Sequence, residues 1–175
     1  MKVRSKTFDC AIAFLVLLIT NNKVNSTIIA SKTESDIRTA RRAILQVKEM
    51  TKNLKLSLHF WFDYKTNTTN YYLSSPIKIE FLQDLSYKQL SMHLPYIVML
   101  KLLFNQKVNY RVLSQDNYKC SSKQLQTIIS ALRDALVYMP TLHNDMIQYD
   151  IKYVEAYNSY QLQEVTYWAY IINIS

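Results

Sequence analysis

The sequence predicts an all-α protein, a four-helix bundle with up-up-down-down connectivity. Three observations predict it. The chain of 175 residues contains no glycine, against a usual share of about 7%. Four segments repeat apolar residues at helical spacings of three and four. The first two of these are joined by about 22 residues, where antiparallel neighbours need only about two to eight. A connection of that length suits a crossover between parallel helices.

The missing glycine also bears on function. A phosphate-binding P-loop, a dinucleotide fingerprint, a kinase phosphate loop, a nucleophile elbow and the usual EF-hand loop all need glycine where backbone turns sharply or meets a ligand. Tight hairpins rely on it too. Helices joined by asparagine-, serine- and proline-containing connections do not.

The first 26 residues read as a secretory signal peptide. "MKVRSK" is basic, "AIAFLVLLI" (11–19) is a nine-residue apolar run, and Val24 and Ser26 occupy the −3 and −1 positions of a cleavage site. The run is too short to span a bilayer, which takes roughly 20 apolar residues. The expected mature domain is 27–175, a secreted, extracellular monomer with no membrane insertion after cleavage. Removal takes four cations (Lys2, Arg4, Lys6, Lys23) and one anion (Asp9), so a net charge of +8 falls to +5. That balance suits acidic partners or cell-surface polyanions and does not argue for nucleic acid. Cys10 would leave with the signal, and Cys120 is then expected as a single buried or capped thiol.

Helix A is expected over about 33–63. Ile37, Ala40, Ile44, Val47, Thr51, Leu54, Leu58 and Trp61 alternate spacings of three and four, behind a Ser31–Glu34 capping-box pattern with Asp36 close by. About 30 residues give a helix of roughly 45 Å. Helix B (86–107) opens on Ser86 and Gln89 and runs through Leu90, Leu94, Ile97, Leu100 and Phe104, with a kink or restart expected at Pro95. Helix C (122–139) carries Leu125, Ile128, Ile129, Leu132, Leu136 and Met139 and meets Pro140. Helix D (152–173) carries Leu162, Val165, Trp168 and Ile172 as one stripe. Leu162, Val165, Trp168 and Trp61 are the expected structural core residues.

No cofactor or metal site is expected. His59, His93 and His143 lie on different segments, and none pairs with another at ligand spacing. His59 and Asp63 read as a helix surface pair. No serine, threonine or cysteine shows a recognisable activating arrangement, although a triad can be dispersed in sequence. The sequon Asn67-Thr68-Thr69 marks Asn67 for glycosylation in a secreted chain. Fourteen tyrosines suit both core and interface, since the ring is apolar and the hydroxyl can stay wet.

"LQEVTYW" (162–168) resembles the last-helix signature of the ciliary neurotrophic factor and cardiotrophin group of interleukin-6-type helical cytokines. "LSYKQLSMHL" and "LLFNQ" (102–106) are similar to their second helix, and "LQTIISALRDAL" sits where the third would be. The resemblance covers roughly residues 35–173. It implies that the bundle is long-chain cytokine-like, and that the protein is a secreted cytokine with growth factor activity that engages cell-surface receptor chains and starts JAK–STAT signalling. The family's receptor site is a Phe-x-x-Lys pair, which falls here on "YDIK", with Tyr149 for phenylalanine and Lys152 as the cation. Two alternatives stand beside it: a secreted helical carrier for an apolar ligand, and a truncated cytokine paralogue that does not signal.

Overall fold

The computed structural model describes residues 5–20, 24–52, 58–73, 87–116, 118–137 and 147–166. They are mostly helical. Helices α1 (Lys6–Thr20), α2 (Ser26–Thr33) and α3 (Ile37–Lys52) lead into a hairpin of β1 (Leu58–Asp63) and β2 (Thr68–Leu73). Then come α4 (Tyr87–Leu103), α5 (Tyr110–Gln115), α6 (Ser122–Val137), and a second hairpin of β3 (Ile147–Val154) and β4 (Ser159–Thr166). Each hairpin is its own two-stranded antiparallel sheet.

The core gathers around α1. Every residue from Phe8 to Leu18 is buried, and α1 touches α2, α3, α4, α6 and β2. A helix that is apolar all round must find such surroundings. Phe14 meets the Tyr71 ring edge-on at 5.4 Å, and Phe8 stacks on Tyr96 at 5.9 Å. The few polar atoms of the helix are matched. Lys6 Nζ donates to the Thr33 carbonyl at 3.0 Å, and Cys10 Sγ lies 3.2 Å from Thr33 Oγ1 and 3.1 Å from Ser35 Oγ. In the full-length chain, residues 6–20, expected as part of a targeting segment, form this central helix. Among the described residues no helix is long and apolar enough to cross a membrane.

The periodic stripes of helices A, B and C hold in α3, α4 and α6. Ala40, Ile44, Val47 and Thr51 are buried on α3, and Leu94, Ile97 and Leu100 on α4. Leu125, Ile128, Ile129, Leu132 and Leu136 are buried on α6. Asp36 caps α3 by accepting from Thr39 N at 2.7 Å, while Glu34 ends α2 in the left-handed region, so the Ser31–Glu34 pattern is not a cap. The helix α4 runs through Pro95 without a restart.

Two expectations are corrected. Helix A stops at Lys52, and Leu58–Asp63 form a strand whose Trp61 pairs with Asn70; the Trp61 side chain lies outside the described residues. Helix D does not form over 152–166. Residues 147–166 are the β3–β4 hairpin, in register Val154↔Ser159 through Ile147↔Thr166. The up-up-down-down bundle therefore lacks its fourth helix across this stretch.

The physical reason is the same at both places. Each hairpin closes through four residues that end on an asparagine at positive φ, Asn67 at 52° and Asn158 at 47°. Asparagine tolerates the left-handed region better than other residues with a Cβ, so a chain without glycine still turns. Asn105 at φ 54° ends α4 in the same way. There Asn105 N donates to Leu102 O and Gln106 N to Lys101 O, the paired bonds of a Schellman cap. Aromatic and β-branched residues then favour the pleated surface.

Both cysteines are buried and free. Burial pushes the Cys120 thiol above its ordinary pKa, in keeping with the expected inert side chain.

Two predictions follow from this packing. Phe14→Ala should cost about 3–5 kcal/mol in urea denaturation, since it empties the centre of the core; an unshifted midpoint would place α1 outside the folded unit. His93 is buried on α4, and desolvation holds its imidazole below the usual 6.5 against the opposing charge of Glu49. The unfolded chain takes up that proton first, so stability present above about pH 6.5 is lost as pH falls toward the folded pKa. His93→Gln should flatten that decline in a denaturation series between neutral and mildly acidic pH. A decline as steep in the variant would assign it to other groups.

Candidate functional site

Among the described residues, a dense set of hydrogen bonds joins the chain before α5 to the turn of the β3–β4 hairpin. Val108 bridges Tyr160 in antiparallel fashion, with Tyr160 N donating to Val108 O at 2.9 Å. Ser159, buried, accepts from Val108 N at 2.9 Å and donates back to Val108 O at 3.2 Å. Asn109 has two duties. Its Oδ1 caps α5 by accepting from Val112 N at 2.8 Å, and its Nδ2 donates to Asn158 O at 2.7 Å. Segments about 50 residues apart are locked together by these bonds, and burial makes each expensive to leave unmade.

Neighbouring elements stiffen the same corner. Lys101, buried at the end of α4, pairs with Asp116 at 3.0 Å and sits 5.4 Å from the Tyr118 ring. A buried ion pair contributes little net stability, but removing either partner strands a charge. The start of α6 carries a reciprocal capping box, Ser121 N to Gln124 Oε1 at 2.9 Å and Gln124 N to Ser121 Oγ at 3.2 Å. Arg133 reaches Asp150 at 3.2 Å between α6 and β3.

Two recesses open against this frame. One, of about 360 Å³, lies between α5, α6 and the hairpin and is lined by Tyr110, Arg111, Gln126, Tyr153, Asn158 and Tyr160 among others. The other, of about 430 Å³, has Lys107, Tyr157, Gln161 and Leu162 in its walls and shares Tyr160. Tyr153 and Tyr160 meet edge to face at 5.2 Å, and the Tyr153 hydroxyl bonds Asn158 Oδ1. Arg111 donates Nε–H to the Tyr110 hydroxyl at 3.1 Å, with its guanidinium 5.7 Å from that ring. That hydrogen bond raises the arginine pKa further, so the charge is permanent. Chemically, the corner offers aromatic faces, hydroxyls, amides and the cations of Arg111 and Lys107. These are groups that bind by stacking and hydrogen bonding.

The residues expected at the receptor site are separated by the strand. Tyr149 and Lys152 lie three apart on β3, which puts them on opposite faces of the hairpin. Tyr149 is buried, and burial followed by the Glu164 carboxylate beside it holds its hydroxyl protonated beyond the usual tyrosine range. Lys152 is exposed. The aromatic–cation pair expected at a helix start is therefore not formed, because no helix starts there. Leu162 is half-buried against the core, in keeping with its structural role, and also lines the larger recess. Val165 pairs with Gln148 on β4, and its side chain lies outside the described residues, as do Trp168 and His143. Asn67 is exposed at the tip of the first hairpin.

Sequence reading missed Asn109, Tyr110, Arg111, Tyr153 and Tyr160. One signal was present: Tyr149, Ile151 and Tyr153, then Tyr160 and Leu162, alternate with a period of two around Asn158. Among the described residues no group of three or more His, Cys, Asp or Glu side chains is placed to hold a metal ion. No protein-family model, characterised protein or solved structure matches the chain.

Asn109→Ala should lower stability by about 2 kcal/mol in chemical denaturation, the sum of a lost helix cap and a lost buried hydrogen bond. Asn109→Asp keeps the cap and should recover roughly half. Equal losses in both variants would contradict the division of labour between the two side-chain atoms.

Proposed function

We propose that this chain is a non-enzymatic binding protein whose partner, another protein, docks on the tyrosine–arginine corner formed by α5, α6 and the β3–β4 hairpin. One observation carries the reading. Of the eight large apolar or aromatic side chains exposed among the described residues, three stand at the two adjoining recesses: Tyr110, Tyr153 and Tyr157, at 40%, 47% and 63%. Tyrosine and arginine are the side chains that most often anchor protein interfaces. A tyrosine also presents a large contact area while ordering only two side-chain torsions. Here the rings rest on backbone tied down by buried hydrogen bonds, so little further ordering is needed on association.

A cell-surface receptor chain, the partner expected from the cytokine resemblance, falls within this reading. The contact moves from Tyr149 and Lys152 to Tyr110, Arg111 and Tyr153. The long-chain bundle itself gains no support from the geometry, since "LQEVTYW" begins on β4. An apolar cargo is disfavoured, because the recess walls combine tyrosine hydroxyls, amides and a guanidinium. Glycosylation at Asn67 belongs to the same secreted reading and suits its exposed turn.

The test is a random-peptide display selection against the folded full chain, counter-screened on Tyr153→Ala and Arg111→Ala. Both positions are exposed, so both variants should keep their fold. Related sequences that bind the wild type and weaken at least about tenfold on each variant would support the corner as an interface. Selected binders indifferent to both substitutions would sink it.

A further inference from the structure

The helix α3 carries a surface that the tyrosine corner does not use. Its buried side is Ala40, Ala43, Ile44, Val47, Met50 and Thr51, packed toward α1 and α2. Opposite that side stands Leu45, 62% exposed. At 100° per residue, Arg38, Arg41, Arg42, Lys48 and Lys52 all fall within about 60° of Leu45 around the helix axis, and so does one anion, Glu49. Lys48 is half-buried and the others are exposed. Across Ile37–Lys52 there are five cations and one anion, Glu49. Asp36, at the helix start, is engaged in capping through Thr39 N and Thr39 Oγ1. Ile37, 43% exposed, adds a second apolar group at the edge of the same face.

We propose that this face of α3 binds an anionic membrane surface, with the arginines and Lys52 among lipid headgroups and Leu45 inserted between them. Charge complementarity sets the sign of the partner. The leucine sets its kind. A layer of anionic headgroups over hydrocarbon accommodates four long cationic side chains and an apolar tip together, whereas a soluble polyanion offers nothing to the leucine. Long basic side chains can keep their charges at headgroup level while their methylenes lie along the apolar boundary. Neither recess described above is lined by α3. Contact is peripheral, because the apolar side of α3 is already committed to the core. This inference is independent of the tyrosine corner.

The experiment is co-sedimentation of the full chain with vesicles of phosphatidylcholine alone, and of phosphatidylcholine with phosphatidylserine. Binding is expected only to the second kind, falling as salt is raised. A triple Arg38→Gln, Arg41→Gln, Arg42→Gln variant should bind at least about tenfold more weakly, and Leu45→Ser several-fold more weakly, with unchanged circular dichroism in both. Absence of vesicle binding, or binding unaltered in the triple variant, would overturn the proposal. So would capture on a heparin column by wild type and Leu45→Ser alike with no vesicle binding, which would mark a soluble polyanion as the ligand.

Discussion

Burial of α1 on every side is the constraint on which the rest of the structure depends. A run from Phe8 to Leu18 with no exposed residue has no solvent face, so four other helices and a strand arrange themselves as its surroundings. The composition that suggests a secretory signal is the composition a central core helix needs, and periodicity cannot separate the two. In the full-length chain the helix is also tied by specific side-chain contacts. Lys6 reaches the end carbonyl of α2, and Cys10, Thr33 and Ser35 form a closed set of contacts of 2.8–3.2 Å. Such pairing ties α1 to one place in the fold rather than leaving it in generic apolar contact.

Legibility in the sequence followed the physics of each element. The segments α3, α4 and α6 were readable because one face of each meets the core, and their buried positions are those the spacing of three and four marks out. The hairpins were not, for two reasons. The absence of glycine argued against tight turns, yet Asn67 and Asn158 adopt the left-handed conformation that a hairpin asks of its last turn residue. Leu162 and Val165 also satisfy a helical spacing while Tyr160 and Leu162 satisfy an alternating one, so a short window supports either period. Tertiary pairing decided between them: Val108 and Tyr160 are bridged by backbone hydrogen bonds that no local pattern contains. The candidate site was hidden for the same reason, being assembled from residues about 50 apart.

The site and the core are connected through α4. The middle of that helix carries Tyr96, whose hydroxyl burial pushes up to about 12 and which stacks on Phe8 of α1. Its last turn carries Lys101, paired with Asp116 beside α5. Asn105 then turns the chain toward Val108 and Asn109, which grip the hairpin. The exposed tyrosines therefore stand on a chain of buried contacts leading back to α1. Loss of the central helix should loosen the corner as well as the core.

The most direct test of this account is a comparison of the full chain with Thr27–Ser175 by circular dichroism and amide hydrogen exchange under identical conditions. With α1 as the centre of the core, the shortened chain should show no cooperative unfolding transition and little exchange protection in α3, α4 and α6. A shortened chain that unfolds cooperatively, with protection in those helices equal to that of the full protein, would contradict the account and return residues 1–26 to the role of a removable leader.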